Sequence, residues 1–303
     1  MPLRFTLRQL EYLVAVGEAG SIALASERVN VSSPSISAAI AQLEAEFGLA
    51  LFVRKHAHGL TLTQGGRQFM AQAKAVLAEA ARLNDLAGEI TGQVRGPLSV
   101  GCLQTFAQVM LPQLRRGFVD QFPQVEFRQA ELNQTEIFDG LRGATLDVAL
   151  IYDLDIPSDI SFLPLITLPP YAVLPADHPL ARQASVSPAD LAPLSMVLLD
   201  LPFSTDYFLS VFTRAGLRPR LFERTRDMGV MRSMVANGFG YSIANIRPFT
   251  DQAPDGGRLA HVPLTGPVRP LQLGLAVMAG AGLALTVQAF VDHARVTITQ
   301  GAA

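Results

Sequence analysis

The chain has 303 residues, 49% of them hydrophobic, with 24 basic against 26 acidic side chains and a formal net charge of −2. That length holds two or three packed domains, while the near-neutral balance excludes a strongly basic nucleic-acid coat. No run approaches the roughly 18 apolar residues of a membrane span, so no membrane partner is expected. The N-terminus lacks the basic-then-apolar pattern of a secretory signal, which makes a cytoplasmic setting the expectation. The single cysteine, Cys102, fits a reducing compartment and excludes a two-cysteine redox switch. Its apolar neighbours favour an inert core thiol, with a single-thiol sensor as the alternative.

In chain order, Leu7, Leu10, Tyr12, Leu13 and Val16 outline an amphipathic first helix. Ile22, Ala25 and Val29 recur at helical intervals and define a second, and Val31 plugs the turn after it. Ser32 stands as the N-cap of a third helix starting near Ser33, its hydroxyl accepting from an orphan backbone N–H, with Pro34 in the tolerated first turn. The inward stripe Ile36, Ile40, Leu43 and Phe47 leaves Ser33, Ser35, Ser37, Ala38 and Ala41 outward. That small, polar face suits close approach to base edges. A helical hairpin packed on another element satisfies the same spacing. Next, residues 51–54 and 60–63 read as two strands around Lys55-His56-Ala57-His58-Gly59, the order of a winged helix-turn-helix. Arg54, Lys55 and the histidines then place donors at the wing tip for phosphates or the minor groove. His56 and His58 also read as solvated turn residues or half a metal site, though nothing acidic lies between them. Through residue 67, Arg4, Arg8, Arg28, Arg54, Lys55 and Arg67 only just outnumber Glu11, Glu18, Glu27, Glu44 and Glu46. Affinity for DNA must then come from a few well-placed charges and from two copies.

Residues 7–10 (Leu-Arg-Gln-Leu), 21–40, Leu43-Glu44, Leu51-Phe52-Val53-Arg54 and Leu62-Thr63-Gln64-Gly65-Gly66 resemble the DNA-binding domain of LysR-type transcriptional regulators. The resemblance implies double-stranded promoter DNA as partner. The expected DNA contacts are Ser21, Ser32, Ser33, Pro34, Ser35, Ser37, Ala38, Gln42, Arg54, Lys55 and His56, of which Ser33, Pro34, Ser35 and Ser37 are what the matching recognition helix retains. Family members usually carry a bulky polar residue, often arginine, where this chain has Ala38 and Ala39. A modest direct code supplemented by DNA shape follows.

Residues 66–91 contain no proline, are rich in alanine and leucine, and predict one long helix. Phe69, Val76, Leu83 and Ile90 fall seven apart, with Ala73, Ala80 and Ala87 between them, a heptad seam that seeks a partner helix. The protein's own domains could cover it, but a groove reader of a two-fold site needs a twin, which favours a homodimer. The resemblance implies the same, with a homotetramer and contact with RNA polymerase as extensions.

Beyond Gly96-Pro97 the pattern turns to short β-rich runs alternating with helices. Strands are expected at 98–101, 125–129, 148–151 and 162–168, with helices near 107–120 and 134–143. A second set follows, with strands at 172–174, 196–199, 221–225 and 241–244 and helices near 204–215 and 227–237. The last strand, 271–278, and helix, 284–295, rejoin the first subdomain. This double crossover resembles the periplasmic-binding-protein-like effector domain of the same family. The expected fold is therefore α+β multidomain: an N-terminal winged helix-turn-helix (1–65), a long linker helix (66–92) and a C-terminal two-subdomain α/β effector domain (93–303). Subdomain I comprises 93–167 and 268–298, and subdomain II 168–267.

Open α/β subdomains bind ligands at the carboxyl ends of their strands, where helix N-termini present amides. That rule selects Gln104, Thr105 and Phe106, Tyr152 and Asp153, then Asp200, Phe203, Ser204 and Thr205, and finally Arg226, Met228 and Asn245. Singly, Thr105 and Ser204 also serve as caps, Phe106 and Phe203 as core, and Asp200 as a turn residue. Amides favour an anion while Asp153 and Asp200 favour an amine. A small metabolite carrying both, or a neutral polar ring, reconciles them. There is no nucleophile elbow, phosphate-cradling glycine loop or helical histidine pair, so neither enzymatic activity nor a cofactor is expected. His178 and His261 sit in proline-flanked stretches and are expected to be solvated. The leading reading is a DNA-binding transcriptional regulator controlled by a small-molecule effector. A cytoplasmic small-molecule-binding module without regulatory DNA binding is the alternative.

Overall fold

The computed structural model describes residues 4–55, 59–280 and 282–301, and divides into two compact units, residues 1–93 and 94–303. In the first unit, α1 (Leu7–Ala19) opens with a capping box between Thr6 and Gln9 and closes at Gly20. α2 (Ile22–Val29) is capped by Ser21, whose hydroxyl accepts from Leu24 N–H, and ends at Asn30 in the left-handed region. α3 (Ser33–Phe47) has Ser32 at its N-cap with no side-chain cap bond. The Ser32 hydroxyl instead meets that of Ser35 at 2.8 Å, which corrects the expected cap. Leu10, Leu13, Val16, Ala25, Ile36, Ile40, Leu43 and Leu51 form the core of the unit.

Ala39 is buried with them, whereas Phe47 stays 42% exposed and packs edge-on against Phe69. β1 (Phe52–Lys55) and β2 (Gly59–Leu62) pair antiparallel, Phe52 opposite Leu62. Gly20 and Gly59 meet where the wing joins α1: Leu60 N–H donates to Gly20 C=O at 2.8 Å. A Cβ on Gly59, whose φ is +75°, would lie 2.6 Å from that oxygen, so the join needs glycine. α4 (Gln64–Thr91) is the long helix. Its first turns, through Phe69, Ala73 and Leu77, pack into their own domain, so the seam available to a partner is shorter than the heptads suggest. Val76, Leu83 and Leu86 are exposed further along.

The second unit carries two sheets. β3 (Gly96–Leu103), β4 (Val125–Leu132), β5 (Val148–Tyr152), β6 (Ile160–Leu168) and the late strand β12 (Leu271–Met278) form one sheet in the order β4-β3-β5-β12-β6. β3 runs parallel to β4 and β5, and β12 antiparallel to β5 and β6. α5 (Gln104–Ala107), α6 (Leu111–Gln121), α7 (Gln134–Arg142) and the final α11 (Leu285–Gly301) belong to this layer. The expected single helix at 107–120 is thus two, with a break at residues 108–110.

In the second lobe β7 (Tyr171–Pro175) lies between β10 (Ser242–Ala244) and β11 (Leu259–Pro263), both antiparallel. β8 (Ser195–Leu199) runs parallel to β9 (Arg220–Thr225), and a bridge between Met196 and Tyr241 joins the two sets. α8 (Pro188–Leu191), α9 (Ser204–Thr213) and α10 (Met228–Ala236) complete it. β11 has no counterpart among the expected strands, because Leu259-Ala-His-Val-Pro carries a histidine and a closing proline where a short strand signal is read. Among the described residues no helix is long and apolar enough to cross a membrane.

Candidate functional site

The N-terminal face comes first. Pro34, Ser35, Ser37, Ala38 and Gln42 of α3 are exposed, with Ser33 and Ser21 half-buried at the helix starts. Several of these polar groups are already engaged. The Ser37 hydroxyl donates to Ser33 C=O at 2.9 Å, and Gln9 Nε2 donates to Gln42 Oε1 at 2.8 Å. What Ser37 retains for a ligand is acceptor capacity. Because Ala39 is buried, only Ala38 stands at the surface in the pair where relatives were expected to carry bulky polar groups. Arg54 and Lys55 close β1, which sets their place at the wing, and His56 lies outside the described residues. Glu18 takes both Arg28, at 3.0 Å, and Lys74, at 2.9 Å, so part of the sparse positive charge is spent within the unit.

The second site forms where β3, β4 and β8 end. Leu103, Gln104 and Thr105 follow β3, Leu132, Asn133 and Gln134 follow β4, and Leu201, Pro202 and Ser204 follow β8. The structure thus brings together Gln104, Thr105 and Ser204 from two subdomains. The cleft is closed, with about 10 Å³ of free volume, the space of one water. Thr105, Gln134 and Ser204 are buried, and Asn133 caps α7 by accepting from Glu136 N–H. Asn133 and Gln134 escaped the sequence reading although the rule that found Thr105 applies to the end of β4 as well. β4 runs to residue 132, three residues past its expected end at 129.

The other expected cleft residues are placed differently. Phe106 and Tyr152 pack on each other in the core with ring centroids 4.5 Å apart, and Met228 is buried at the start of α10. Asp153 is paired with Arg269, and its other oxygen accepts from Gln272 N–H at 2.8 Å, pinning the returning crossover. Asp200 accepts from Thr205 Oγ1 at 2.8 Å and from Arg224 at 3.3 Å. Arg226 is exposed beside α10 instead. Asn245 donates to Leu168 C=O at 2.9 Å and to the Tyr207 hydroxyl at 3.0 Å, at the crossover between lobes. These geometries spend the carboxylates on structure, which removes the expected attraction for an amine. Phe203, between the lining residues Pro202 and Ser204, is half-buried, its ring 6.0 Å from that of Phe138.

His178 caps a short 3-10 turn, accepting from Leu180 N–H at 3.2 Å. His261, expected to be solvated, is a buried strand residue with a side chain 2% exposed. Its Nε2 lies 3.3 Å from Arg232 Nη1, and a guanidinium only donates, so the neutral ring carries its proton on Nδ1. Nδ1 faces Asp251 Oδ1 at 3.0 Å. Burial, then the Arg247 charge, pushes the His261 pKa from 6.5 down to about 4, against the opposing pull of Asp251. The unfolded chain therefore binds the extra proton first. Stability is fully present above pH 6.5 and is lost as pH falls from 6.5 towards 4. His261→Gln is expected to flatten that loss, as read from denaturant midpoints at pH 7 and pH 4.5. An equal loss in both proteins would refute the assignment. Cys102 is buried, and desolvation raises its pKa, which fits an inert thiol.

A three-helix reading head with a β-wing, a long apolar-striped helix and a two-lobed ligand domain together define a ligand-responsive DNA-binding regulator. Comparison with known proteins agrees. Residues 7–67 match the family model described as bacterial regulatory helix-turn-helix protein, lysR family, and residues 91–297 match the LysR substrate binding domain. The chain belongs to the LysR family of DNA-binding transcriptional regulators, with an effector-binding domain.

The crystal structure of HinK, a LysR family regulator from Pseudomonas aeruginosa, is 35% identical, with TM-score 0.66 over 97% of this chain and 98% of that one. Full-length CbnR complexed with its target DNA is 25% identical, with TM-score 0.68 over 97% and 100%. The hydrogen peroxide-inducible genes activator of Pectobacterium carotovorum subsp. carotovorum is 29% identical over 238 residues, 78% of each chain.

Proposed function

We propose that the chain acts in the cytoplasm as a homodimer whose α3 helices read promoter DNA through Pro34, Ser35, Ser37 and Ala38, with Arg54 and Lys55 of the wing on the backbone. Its effector occupies the closed cleft. The observation that carries this is the convergence of Gln104 and Thr105, Asn133 and Gln134, and Ser204 from separate strand ends of two lobes. Dimerisation uses the exposed Val76, Leu83 and Leu86 of α4. The exposed edge strand β9, with Leu221, Phe222 and its stacking partner Phe239, offers a surface for further assembly to a tetramer. The division into reading head (1–65), linker (66–92) and effector domain (93–303) belongs to the same reading.

A peroxide signal does not fit. The sole cysteine, Cys102, is buried with a raised pKa, and oxidation needs an accessible thiolate. Mobility-shift titrations on DNA flanking the gene test the regulator: sequence-dependent binding that weakens steeply with salt is expected. Thr105→Trp should retain basal DNA binding and lose the response to effector. Wild-type response in that variant would remove the cleft from the mechanism.

A further inference from the structure

The cleft has almost no free volume, and what closes it is the chain itself. Residues 201–204 lead from β8 into α9 through two tight turns, with Leu201 N–H bonded to Leu199 C=O at 3.2 Å and Ser204 N–H to Pro202 C=O at 2.8 Å. The second is a γ-turn centred on Phe203, whose φ of 64° and ψ of −37° are strained for a residue with a side chain. Such a backbone persists only if something over-determines it. The ring of Phe203 supplies that hold: it sits edge-on, at 65°, against Phe138 of α7 in the other lobe. Phe138 is itself 4% exposed, so the pair is an aromatic contact at the seam of the two lobes.

The lining is informative about what could replace it. Leu103, Gln104, Thr105, Leu132, Asn133, Gln134, Leu201, Pro202 and Ser204 include no ionisable side chain. The neighbouring charges, Asp200 with Arg224 and Asp153 with Arg269, are paired with one another. A charged ligand would enter unpaired and pay its desolvation in full.

Resting on the effector-cleft reading above, we propose that residues 201–204 are a self-closing lid latched by the Phe203 ring on Phe138, and that the effector is a small, flat, uncharged molecule. It takes the ring's place on Phe138 and presents its polar edge to Gln104, Thr105 and Ser204. Effector entry swings Phe203 out, relaxes the γ-turn and changes the closure of the two lobes.

Calorimetric titration of the full-length protein with benzamide and phenol as neutral probes, and benzoate as charged control, tests this. Phe203→Ala should bind the neutral probes at least tenfold more tightly than wild type and gain nothing for benzoate. Phe203→Leu, which keeps apolar bulk without a ring, should fall between and serves if the alanine variant does not fold. Phe138→Ala should speed amide exchange at Ser204 without gaining probe affinity, because it loses the platform. Equal probe affinity in wild type and both Phe203 variants, no binding by any of them, or tighter binding of benzoate would overturn the proposal. DNA binding by wild type is scored separately. Its absence overturns the regulator reading, whereas unchanged probe affinity with DNA binding intact overturns the lid alone.

Discussion

Replacing Ser37 by glutamate is expected to weaken operator binding by more than 100-fold while leaving the fold intact. The side chain is exposed on α3, one turn beyond Ser33, so a carboxylate there meets either phosphates or acceptor-rich base edges. The helix loses only the Ser37 bond to the Ser33 carbonyl, and glutamate is a good helix former, so stability should change by no more than about 0.5 kcal/mol. Ser37→Ala gives the complementary reading. The hydroxyl proton is already committed to Ser33, so only an acceptor is lost, and binding should stay within about threefold. Fluorescence anisotropy on labelled promoter DNA at fixed salt, with thermal melts of each variant, separates these effects. Full binding by Ser37→Glu would place the reading face elsewhere.

The second large effect is expected at Arg232. This guanidinium is 4% exposed in α10 and donates to Thr250 C=O at 2.8 Å and Gln252 C=O at 3.0 Å, besides meeting His261. It fastens the segment that follows Asn245, where Tyr171 OH also holds Ile246 C=O at 2.7 Å. Arg232→Met keeps the apolar stem and strands two carbonyls. Charge-assisted bonds of this kind and buried partners left alone cost about 3 kcal/mol together. For a domain of this size that lowers Tm by roughly 6 to 12 °C. Differential scanning calorimetry of the effector domain signal checks it, and a shift under about 2 °C would show the carbonyls to be re-solvated at little cost.

Both sites show where sequence reasoning stops. The helices of the reading head are legible because their apolar spacing is local: Pro34 opens α3, and Ile36, Ile40 and Leu43 face inward as their four-three steps require, although the capping hydroxyl is that of Ser21 on α2 and not the expected Ser32. Ala39, buried in the structure, is assigned to neither face by the spacing, because a methyl group gives no polarity cue to its side of the helix. In the effector domain the strand-end rule found Gln104, Thr105 and Ser204, yet it also drew in Phe106, Tyr152 and Met228. At such positions an aromatic or methionine reads the same whether it lines a cleft or fills a core. His261 departs from its expected solvated setting for a related reason. Its neighbours in sequence are unremarkable, and its burial comes from Arg232 and Asp251, 29 residues and 10 residues away.

The class of this protein and the order of its parts are legible in its linear pattern. Those follow from periodicities, caps and motifs that act within a few turns of chain. The fold, and no local pattern, pairs Asp153 and Asp200 with Arg269 and Arg224 and brings Asn133 and Gln134 into the cleft. It also decided that the ring of Phe203 rests on Phe138. Ion pairing and aromatic contact depend on groups far apart in sequence coming within a few ångströms, and no local pattern encodes which partner arrives.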